Sequence, residues 1–212
     1  MERPTRPALS RDYILRTALA LIDRDGVEAL SMRKLGAEMG VDPMAIYHYL
    51  PNKAAVLDGV VEIMWSEVQP LTSDPGVPWR EQALAAFRTF RATLRAHPRA
   101  VTIAGTHPAV SPGMLQLLDR SLGWLTEAGL GPAEALDLIN CLALFTMGHV
   151  LAEVGEPVGG EATPPGAVYA SLSPEDYPHL VAAFASGYGY HPDEQFEAGI
   201  TAMLAGWDAR RS

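Results

Sequence analysis

The sequence predicts an all-α protein with a small N-terminal unit of three helices and a larger helical domain after it. Three observations support this fold class. Apolar residues recur every three or four positions along most of the chain, as they do in amphipathic helices. Gly and Pro lie where these segments begin and end. No stretch of the 212 residues alternates apolar and polar side chains as a strand does.

The first two helices are marked by residues that suit helix ends. Apolar side chains recur at helical spacing between residues 10 and 25, and Gly26 ends this segment. Ser31 has the side chain of an N-cap and precedes a second helix of about two turns. Gly40 ends that helix, because glycine tolerates the left-handed conformation that commonly follows a helix.

A third short helix is predicted from Pro43 to about Tyr49. Asp42 supplies an N-cap carboxylate, and the fixed φ of Pro43 suits the first helical position. Ile46 and Leu50 lie four residues apart and can both pack inward. The side chains left on the other faces are Met44, Ala45, Tyr47, His48 and Tyr49. Two short helices joined through a glycine have the spacing of a helix-turn-helix, whose second helix enters the major groove of DNA.

The rest of the chain is predicted to form further helices separated by loops rich in Pro and Gly. A longer helix over residues 54–68 joins the two units, and others are predicted over residues 79–96, 112–128, 132–154, 174–187 and 193–210, with a short piece at 100–105. Residues 155–173 are predicted to form a mobile loop. The segment from Ala135 to Met147 is nearly all apolar and must be covered on most sides, by its own domain or by a partner subunit.

The charges are distributed unevenly along the chain. Residues 1–53 contain 8 of the 16 Lys and Arg residues and 7 of the 25 Asp and Glu residues. The net charge of −9 therefore comes from the remainder of the chain. An acidic body repels phosphates, so nucleic-acid contacts are expected only in the first quarter of the chain. The sequence lacks an apolar run of about 18 residues and a signal-peptide pattern. We therefore expect a cytoplasmic protein that does not bind a membrane.

One run of residues resembles a known family. The segment from Leu35 to Lys53, LGAEMGVDPMAIYHYLPNK, resembles the DNA-binding signature of the TetR family of bacterial repressors, and the resemblance extends over about residues 10–60. Pieces resembling the tetracycline-repressor class of C-terminal domains lie at residues 79–91, 105–108, 145–148 and 196–200. The resemblance implies a helix-turn-helix domain at 1–53 and an effector-binding and dimerisation domain at 54–212, in which 54–70 is the connecting helix.

The resemblance also implies a DNA-binding surface. Its residues would be Ser31, Arg33, Met44, Ala45, Tyr47, His48, Tyr49 and Lys53. By position, Arg33 would contact a phosphate or a guanine, and Lys53 a phosphate at the start of the fourth helix. Tyr47 and Tyr49 would bind the DNA backbone. Met44, Ala45 and His48 occupy the variable base-reading positions, so they would select the operator sequence.

A homodimer is the implied assembly, with the helices at 132–154 and 193–210 pairing with their copies in a four-helix bundle. The apolar surplus of Leu136 to Met147 favours such an interface, and Gly199 and Gly206 would allow a close approach of helices. The alternative is an ordinary core helix in a monomer. As a dimer, the protein would repress by binding double-stranded, palindromic operator DNA and would be released by an effector.

The effector pocket is expected among the middle helices. The side chains expected to line it are Trp65, Gln69, Phe87, Phe90, Ile103, Met114, Leu118, Phe145 and His149. Two histidines and an asparagine hold the drug and its magnesium in the tetracycline sensors, and here Gln69, Ile103 and Ala86 take those places. We therefore expect no metal and no cofactor, and a small hydrophobic or aromatic effector held by few polar contacts.

Three other functions remain as alternatives. An enzyme could use His97, His107 and His149, although none has the spacing of a nucleophile or metal site. An all-helical interaction module could share the helix-turn-helix shape without binding DNA. A redox sensor would act through Cys141, the single cysteine, whose apolar neighbours favour a buried, unreactive thiol. Activation in place of repression also stays open.

Overall fold

The computed structural model describes residues 8–68, 74, 76–107, 111–155 and 169–209, and these contain helices and no strand. The α-helices are α1 Arg11–Asp25, α2 Met32–Met39, α3 Pro43–Tyr47, α4 Lys53–Ser66, α5 Trp79–Ala96, α6 Val101–Thr106, α7 Pro112–Glu127, α8 Pro132–Val154, α9 Pro178–Ala185 and α10 Pro192–Ala209. Short 3₁₀ turns at Val27–Ala29 and Pro98–Ala100 precede α2 and α6. The predicted all-α fold class is confirmed.

Side-chain caps fix the helix starts in the N-terminal unit. Ser31, Asp42 and Asn52 each accept a hydrogen bond from a backbone amide in the first turn of the helix that follows, at 2.8 to 3.2 Å. Gly40 ends α2 in the left-handed conformation with φ of 60°. The predicted starts of the second and third helices are therefore confirmed, and the turn between them requires the conformational freedom of a glycine.

Two helices are shorter than the sequence predicts. α3 ends at Tyr47, two residues early, because the Tyr49 amide donates to the carbonyl oxygen of Ile46 at 2.9 Å, an i−3 contact in place of the i−4 bond of a continuing helix. α9 begins at Pro178 and not at residue 174, since proline suits the first helical position and excludes helix before it. Most of the predicted mobile loop at 155–173 lies outside the described residues.

The N-terminal unit has its own apolar core. The side chains of Ile14, Leu15, Leu21, Ile22, Leu35, Met39 and Ile46 are each no more than 1% exposed. α1 packs closely on α4 at Gly59, where a Cβ would lie 2.3 Å from Leu15 Cδ2. This close packing at Gly59 connects the helix-turn-helix to the larger domain through α4.

α8 is the central helix of the larger domain and packs against α5, α6, α7 and α10. Its length and composition would also suit a membrane span, with a mean hydropathy of 1.6 and 28% of that window buried in the single chain. Leu138, Leu142 and Val150 point into the domain core. Leu144 and Leu151, in contrast, are 67% and 45% exposed. α8 is therefore a core helix that keeps one uncovered apolar face.

The close approach expected at Gly199 occurs within one chain. A Cβ at Gly199 would lie 2.3 Å from Phe145 Cζ, so this glycine brings α10 against α8 of the same subunit. Gly206 faces open space in the single chain. Small residues in a sequence indicate that two helices lie close together, but they do not show which two helices meet.

Ion pairs join α5 to α8 and α10 at one end of the domain. Arg91, which is 7% exposed, donates to Glu153 at 2.9 Å and pairs with Asp193 at 2.7 Å. Arg95 also pairs with Glu153, at 3.2 Å. The Arg91 guanidinium lies 4.8 Å from the Phe196 ring centroid. This network, in which Arg91 and Glu153 are buried and Arg95 and Asp193 are exposed, holds the end of α8 and the start of α10 in register with α5.

Candidate nucleic-acid interface and effector cavity

α3 presents a surface with few internal contacts. Ile46 and Leu50 are 0% and 3% exposed, which confirms that they pack inward. Met44, Tyr47 and Tyr49 are 64%, 42% and 44% exposed. A monomeric soluble protein gains little from large exposed side chains on so short a helix, whereas such groups can contact base edges and phosphates. α3 is therefore suited to act as a recognition helix.

Two tyrosines on this surface differ in their contacts. The Tyr49 hydroxyl donates to the carbonyl oxygen of Leu9 at 3.0 Å, which ties the turn after α3 to the residues before α1. The side chain of Tyr47 makes no hydrogen bond within the described part of the chain. Its hydroxyl is available to an outside partner, while that of Tyr49 serves the fold.

Lys53 is the first residue of α4 and is half-buried. Its Nζ donates to the carbonyl oxygen of Val27 at 3.4 Å, a long contact for an ammonium group. The Asn52 side chain caps the same helix end. A cation at the start of a helix is unfavourable against the helix dipole, and the long contact leaves the ammonium group able to bind an anion from outside the chain.

Other cations near α2 are already paired. Arg24 donates to both carboxylate oxygens of Glu38, at 2.9 and 3.0 Å, and also bonds Asp25. Lys34 Nζ lies 2.8 Å from Asp25 Oδ2. Hydrogen bonds from Arg24 and then Lys34 lower the pKa of Asp25 to about 2. Arg33, by contrast, is exposed and pairs with no acid among the residues described, so its charge is directed to solvent.

A cavity of about 270 Å³ opens between α4 and α7. It is lined by Glu62, Trp65, Ser66, Val68, Gly113, Met114, Gln116, Leu117 and Arg120. The Trp65 ring stacks on Phe90 with centroids 4.5 Å apart and planes 19° apart, and Phe87 meets Phe90 edge-on at 6.2 Å. An aromatic wall thus stands behind one side of the cavity.

The predicted pocket residues are only partly brought together. Trp65 and Met114 line the cavity, and Phe87 and Phe90 stand behind Trp65. Ile103 is buried in α6, Leu118 is half-buried on α7, and Gln69 lies outside the described residues. Phe145 and His149 lie elsewhere, because both pack on Phe196 of α10 with ring centroids 6.0 and 5.5 Å apart.

Sequence reasoning missed the polar lining of this cavity. Glu62 and Arg120 fall on the polar faces of their helices, a pattern that ordinarily indicates contact with solvent. Glu62 accepts from Arg11 of α1 at 2.6 Å, so one cavity residue also contacts the N-terminal unit. No sequence signal distinguishes it from other glutamates.

The three histidines considered for catalysis have structural contacts. His97 Nδ1 lies 2.8 Å from Asp23 Oδ2, and His107 Nδ1 lies 2.9 Å from Asp58 Oδ1. His149 donates from Nε2 to the carbonyl oxygen of Pro192 at 2.9 Å. The first contact joins α1 to the end of α5, and the second joins α4 to the end of α6. These histidines hold helix ends together.

No group of three or more His, Cys, Asp or Glu side chains that could hold a metal ion occurs among the residues that the structure describes. Cys141 is half-buried on α8.

Comparison with known proteins shows what this arrangement is similar to. A family model for bacterial regulatory proteins of the tetR family matches residues 14–60, and one for the tetracyclin repressor-like C-terminal domain matches residues 72–211. The tetracycline repressor protein class A from transposon 1721 of Escherichia coli is 33% identical over 96% of this chain and 92% of its own length. An HTH-type transcriptional regulator of Saccharopolyspora erythraea is 31% identical over 97% of this chain and 87% of its own length.

The fold also matches a solved structure along nearly its whole length. The Streptomyces coelicolor TetR family protein ActR, in complex with actinorhodin, superimposes with a TM-score of 0.84 at 27% identity, covering 96% of this chain and 98% of that one. The match includes both the helix-turn-helix and the larger helical domain. The chain therefore belongs to the TetR family of transcriptional regulators, whose members are ligand-responsive DNA-binding proteins and not enzymes.

Proposed function

We propose that this protein is a homodimeric repressor that binds a palindromic operator through residues 1–53 and releases it when an aromatic effector enters the domain formed by residues 54–212. The observation that carries the proposal is the exposed surface of α3, flanked by unpaired Arg33 and by Lys53 at the start of α4. A repressor of this kind acts in the cytoplasm, where its DNA is.

The proposed DNA contacts fall into two chemical classes, those to phosphates and those to base edges. Lys53 and Arg33 meet phosphates and set the position of the protein, and the free hydroxyl of Tyr47 adds a neutral phosphate contact. Met44, Ala45 and His48 face the base edges and choose the sequence. Ser31 caps α2, and Tyr49 braces α1, so both act on DNA through the shape of the unit.

The homodimer is supported by complementary surfaces on α8 and α10. Leu144 and Leu151 project from α8, while α10 offers the small exposed residues Ala198, Ala202 and Ala205. Large apolar side chains on one helix can enter the space left by small ones on another. Pairing through these two helices gives a two-fold axis, which a palindromic operator requires.

An effector site between α4 and α7 is supported by the cavity and its aromatic wall. The relative ActR binds actinorhodin in its crystal structure. In our chain, Trp65 and Phe90 favour a flat aromatic body. Ile103 offers no metal ligand where the tetracycline sensors have one, so we propose an effector that binds without magnesium.

Release of DNA follows from a difference in effector affinity between two arrangements of the units. Polar contacts cross between them from Arg11 to Glu62, from His97 to Asp23, and from Arg99 to the carbonyl oxygens of Asp23 and Arg24. Of these, the Arg11 contact includes a residue of the cavity. An effector that binds better when α4 has moved relative to α1 changes the spacing of the recognition helices, and only this difference in affinity is required.

Binding to DNA from its own promoter tests the proposal. The wild-type protein is compared with Lys53→Ala and Tyr47→Ala at several salt concentrations, with Tyr177→Ala as a control because Tyr177 is similarly exposed but lies far from α3 in the chain. Specific binding weakened by the first two variants, with a smaller salt slope for Lys53→Ala, supports the proposal. Absence of specific binding by the wild type to any genomic fragment contradicts it.

A further inference from the structure

The indole nitrogen of Trp65 is a buried hydrogen-bond donor without a partner among the residues that the structure describes. We propose that the effector is a small aromatic acid with a carbonyl oxygen that accepts from Trp65 Nε1 and an acidic group that pairs with Arg120. This inference rests on the proposed effector site and adds the chemical class of its ligand. Neither residue was assigned such a role by the sequence pattern.

The unpaired donor is the first part of the argument. Most buried polar atoms in folded proteins have a hydrogen-bond partner, so an exception at the wall of a cavity calls for an explanation. A tryptophan in an ordinary core turns its N–H to a carbonyl or to the surface. Trp65 does neither, although it lies on a helix next to an opening.

The Trp65 ring is held in position. Its stacking on Phe90 at 4.5 Å covers one face and fixes the ring plane, so the N–H has a defined direction before the ligand arrives. The nitrogen itself is shielded from water in this structure. An acceptor therefore reaches it by displacing a neighbour, and Met114, which lines the same cavity, has the flexible side chain that can move.

The charges around the cavity favour an acid. Glu62 is already paired with Arg11, which neutralises the only carboxylate among the lining residues described. Arg120 is exposed and makes no ion pair with any residue in the described ranges. The uncompensated charge at the opening is therefore positive. An anionic ligand gains attraction from the Arg120 guanidinium, which binds carboxylates through paired hydrogen bonds.

The volume of about 270 Å³ limits the size of the ligand. It lies just below the range of roughly 300 to 1,000 Å³ that is usual for ligand cavities. Two or three fused rings suit this space better than a larger skeleton. The donor, the guanidinium and the size together describe a flat, aromatic keto acid.

Calorimetric titration of the full chain with three matched probes tests this assignment. The probes are a fluorenone carboxylate, the fluorene carboxylate of the same substitution, and plain fluorenone. The first has both the carbonyl and the acid, the second lacks the carbonyl, and the third lacks the acid. Each is titrated into the wild type, Trp65→Phe, which keeps the stacked ring without its donor, and Arg120→Gln, which keeps a polar side chain without its charge.

We expect the wild type to bind the keto acid about tenfold more tightly than the fluorene acid, as one recovered hydrogen bond allows. In Trp65→Phe this preference disappears while fluorene carboxylate binds as before. In Arg120→Gln both acids weaken by about tenfold and fluorenone does not change. Equal affinities of the wild type for the two acids, or no binding of any probe, would overturn the proposal.

The indole N–H proton of Trp65, followed by nuclear magnetic resonance, supplies an independent check. The keto acid should shift this resonance further downfield than fluorene carboxylate does, because only the keto acid offers the N–H an acceptor. Equal shifts with the two acids would show that the ligand does not accept from Trp65 Nε1, and would overturn the proposal. Operator binding by the wild type is measured separately, so a failed ligand test with intact DNA binding contradicts this inference alone.

Discussion

The hydroxyl of Tyr49 donates a hydrogen bond to the backbone carbonyl oxygen of Leu9, which lies 40 residues earlier in the chain, at 3.0 Å. Leu9 immediately precedes Ser10, the N-cap of α1. The bond therefore joins the turn after α3 to the start of the first helix. Tyr47 is almost equally exposed and has no such bond within the described residues. Two neighbouring tyrosines thus have separable roles.

Removing the two hydroxyl groups should separate stability from DNA binding. We expect Tyr49→Phe to lower the free energy of unfolding by about 1 kcal/mol, because a net hydrogen bond is lost. Tyr47→Phe should leave that free energy unchanged but weaken operator binding by about fivefold, since its hydroxyl bonds only the DNA. Denaturant unfolding and DNA titration measure the two effects. An equal loss of stability in both variants would contradict the assignment.

The carboxylate of Asp25 should make the N-terminal unit sensitive to acid. Arg24 and Lys34 hold its pKa at about 2 in the folded protein, below its usual value of 3.8. A lowered folded pKa stabilises the protein above the unfolded value, and this contribution is lost as the pH falls from about 4 to about 2.

Thermal unfolding of the wild type and Asp25→Asn between pH 5 and pH 2 checks this effect. The wild type should lose its advantage over the variant across that window, and the two melting temperatures should converge near pH 2. Asp12→Asn is the control, because Asp12 forms only an exposed pair with Arg16 within α1. A difference that persists unchanged down to pH 2 would show that Asp25 acts through something other than its charge.

Much of the DNA-binding surface could be predicted because it depends on local rules. The pair Ile46 and Leu50 sets the inward face of α3, and the remaining exposed positions follow from helix geometry. Caps at Ser31 and Asp42 are contacts within four residues of sequence, which a pattern shows directly. Pro51 restricts only Leu50, so it favours a helix that continues to Tyr49 and does not show that α3 ends at Tyr47.

The effector region was harder to predict because it depends on which helices meet. Periodicity places Phe145 and His149 on an apolar face but cannot show that this face meets α10 and not the α4–α7 cavity. The polar lining is hidden for the opposite reason. Glu62 and Arg120 look like solvent-facing residues until two helices bring them to the same opening. Long-range packing decides both cases.

The network around Arg91 should contribute more to stability than the exposed pairs do. The side chains of Arg91 and Glu153 are 9% and 6% exposed, so removing one charge leaves the other poorly solvated. We expect Glu153→Gln to cost about 2–3 kcal/mol. The usual cost for a broken buried pair is about 3–5 kcal/mol, and it is reduced here because Asp193 still pairs with Arg91.

Glu197→Gln is the matched control for that variant. Glu197 pairs with Arg88 at 2.6 Å, but the two side chains are 37% and 54% exposed. An exposed pair contributes at most about 1 kcal/mol, so the control should change the free energy of unfolding by less than that. Denaturant unfolding of both variants gives the comparison. Equal losses would mean that the burial of Glu153 adds nothing to its pairing.

The exposed face of α8 should form the subunit interface. Leu144 is the most exposed large hydrophobic side chain in the described residues, at 67%, and lies on the helix that forms the centre of its domain. A Leu144→Glu substitution would bury two carboxylates at the two-fold axis without partners, which strongly disfavours association.

Leu115→Glu, on α7 and 51% exposed, is the control because α7 lies outside the proposed interface. Light scattering on a sizing column should therefore show a monomer for the first variant and a dimer for the second. Operator affinity should fall with the dimer, because a single recognition helix contacts only one half-site. A Leu144→Glu protein that remains dimeric would move the interface away from this face of α8 and leave its leucines without an explanation.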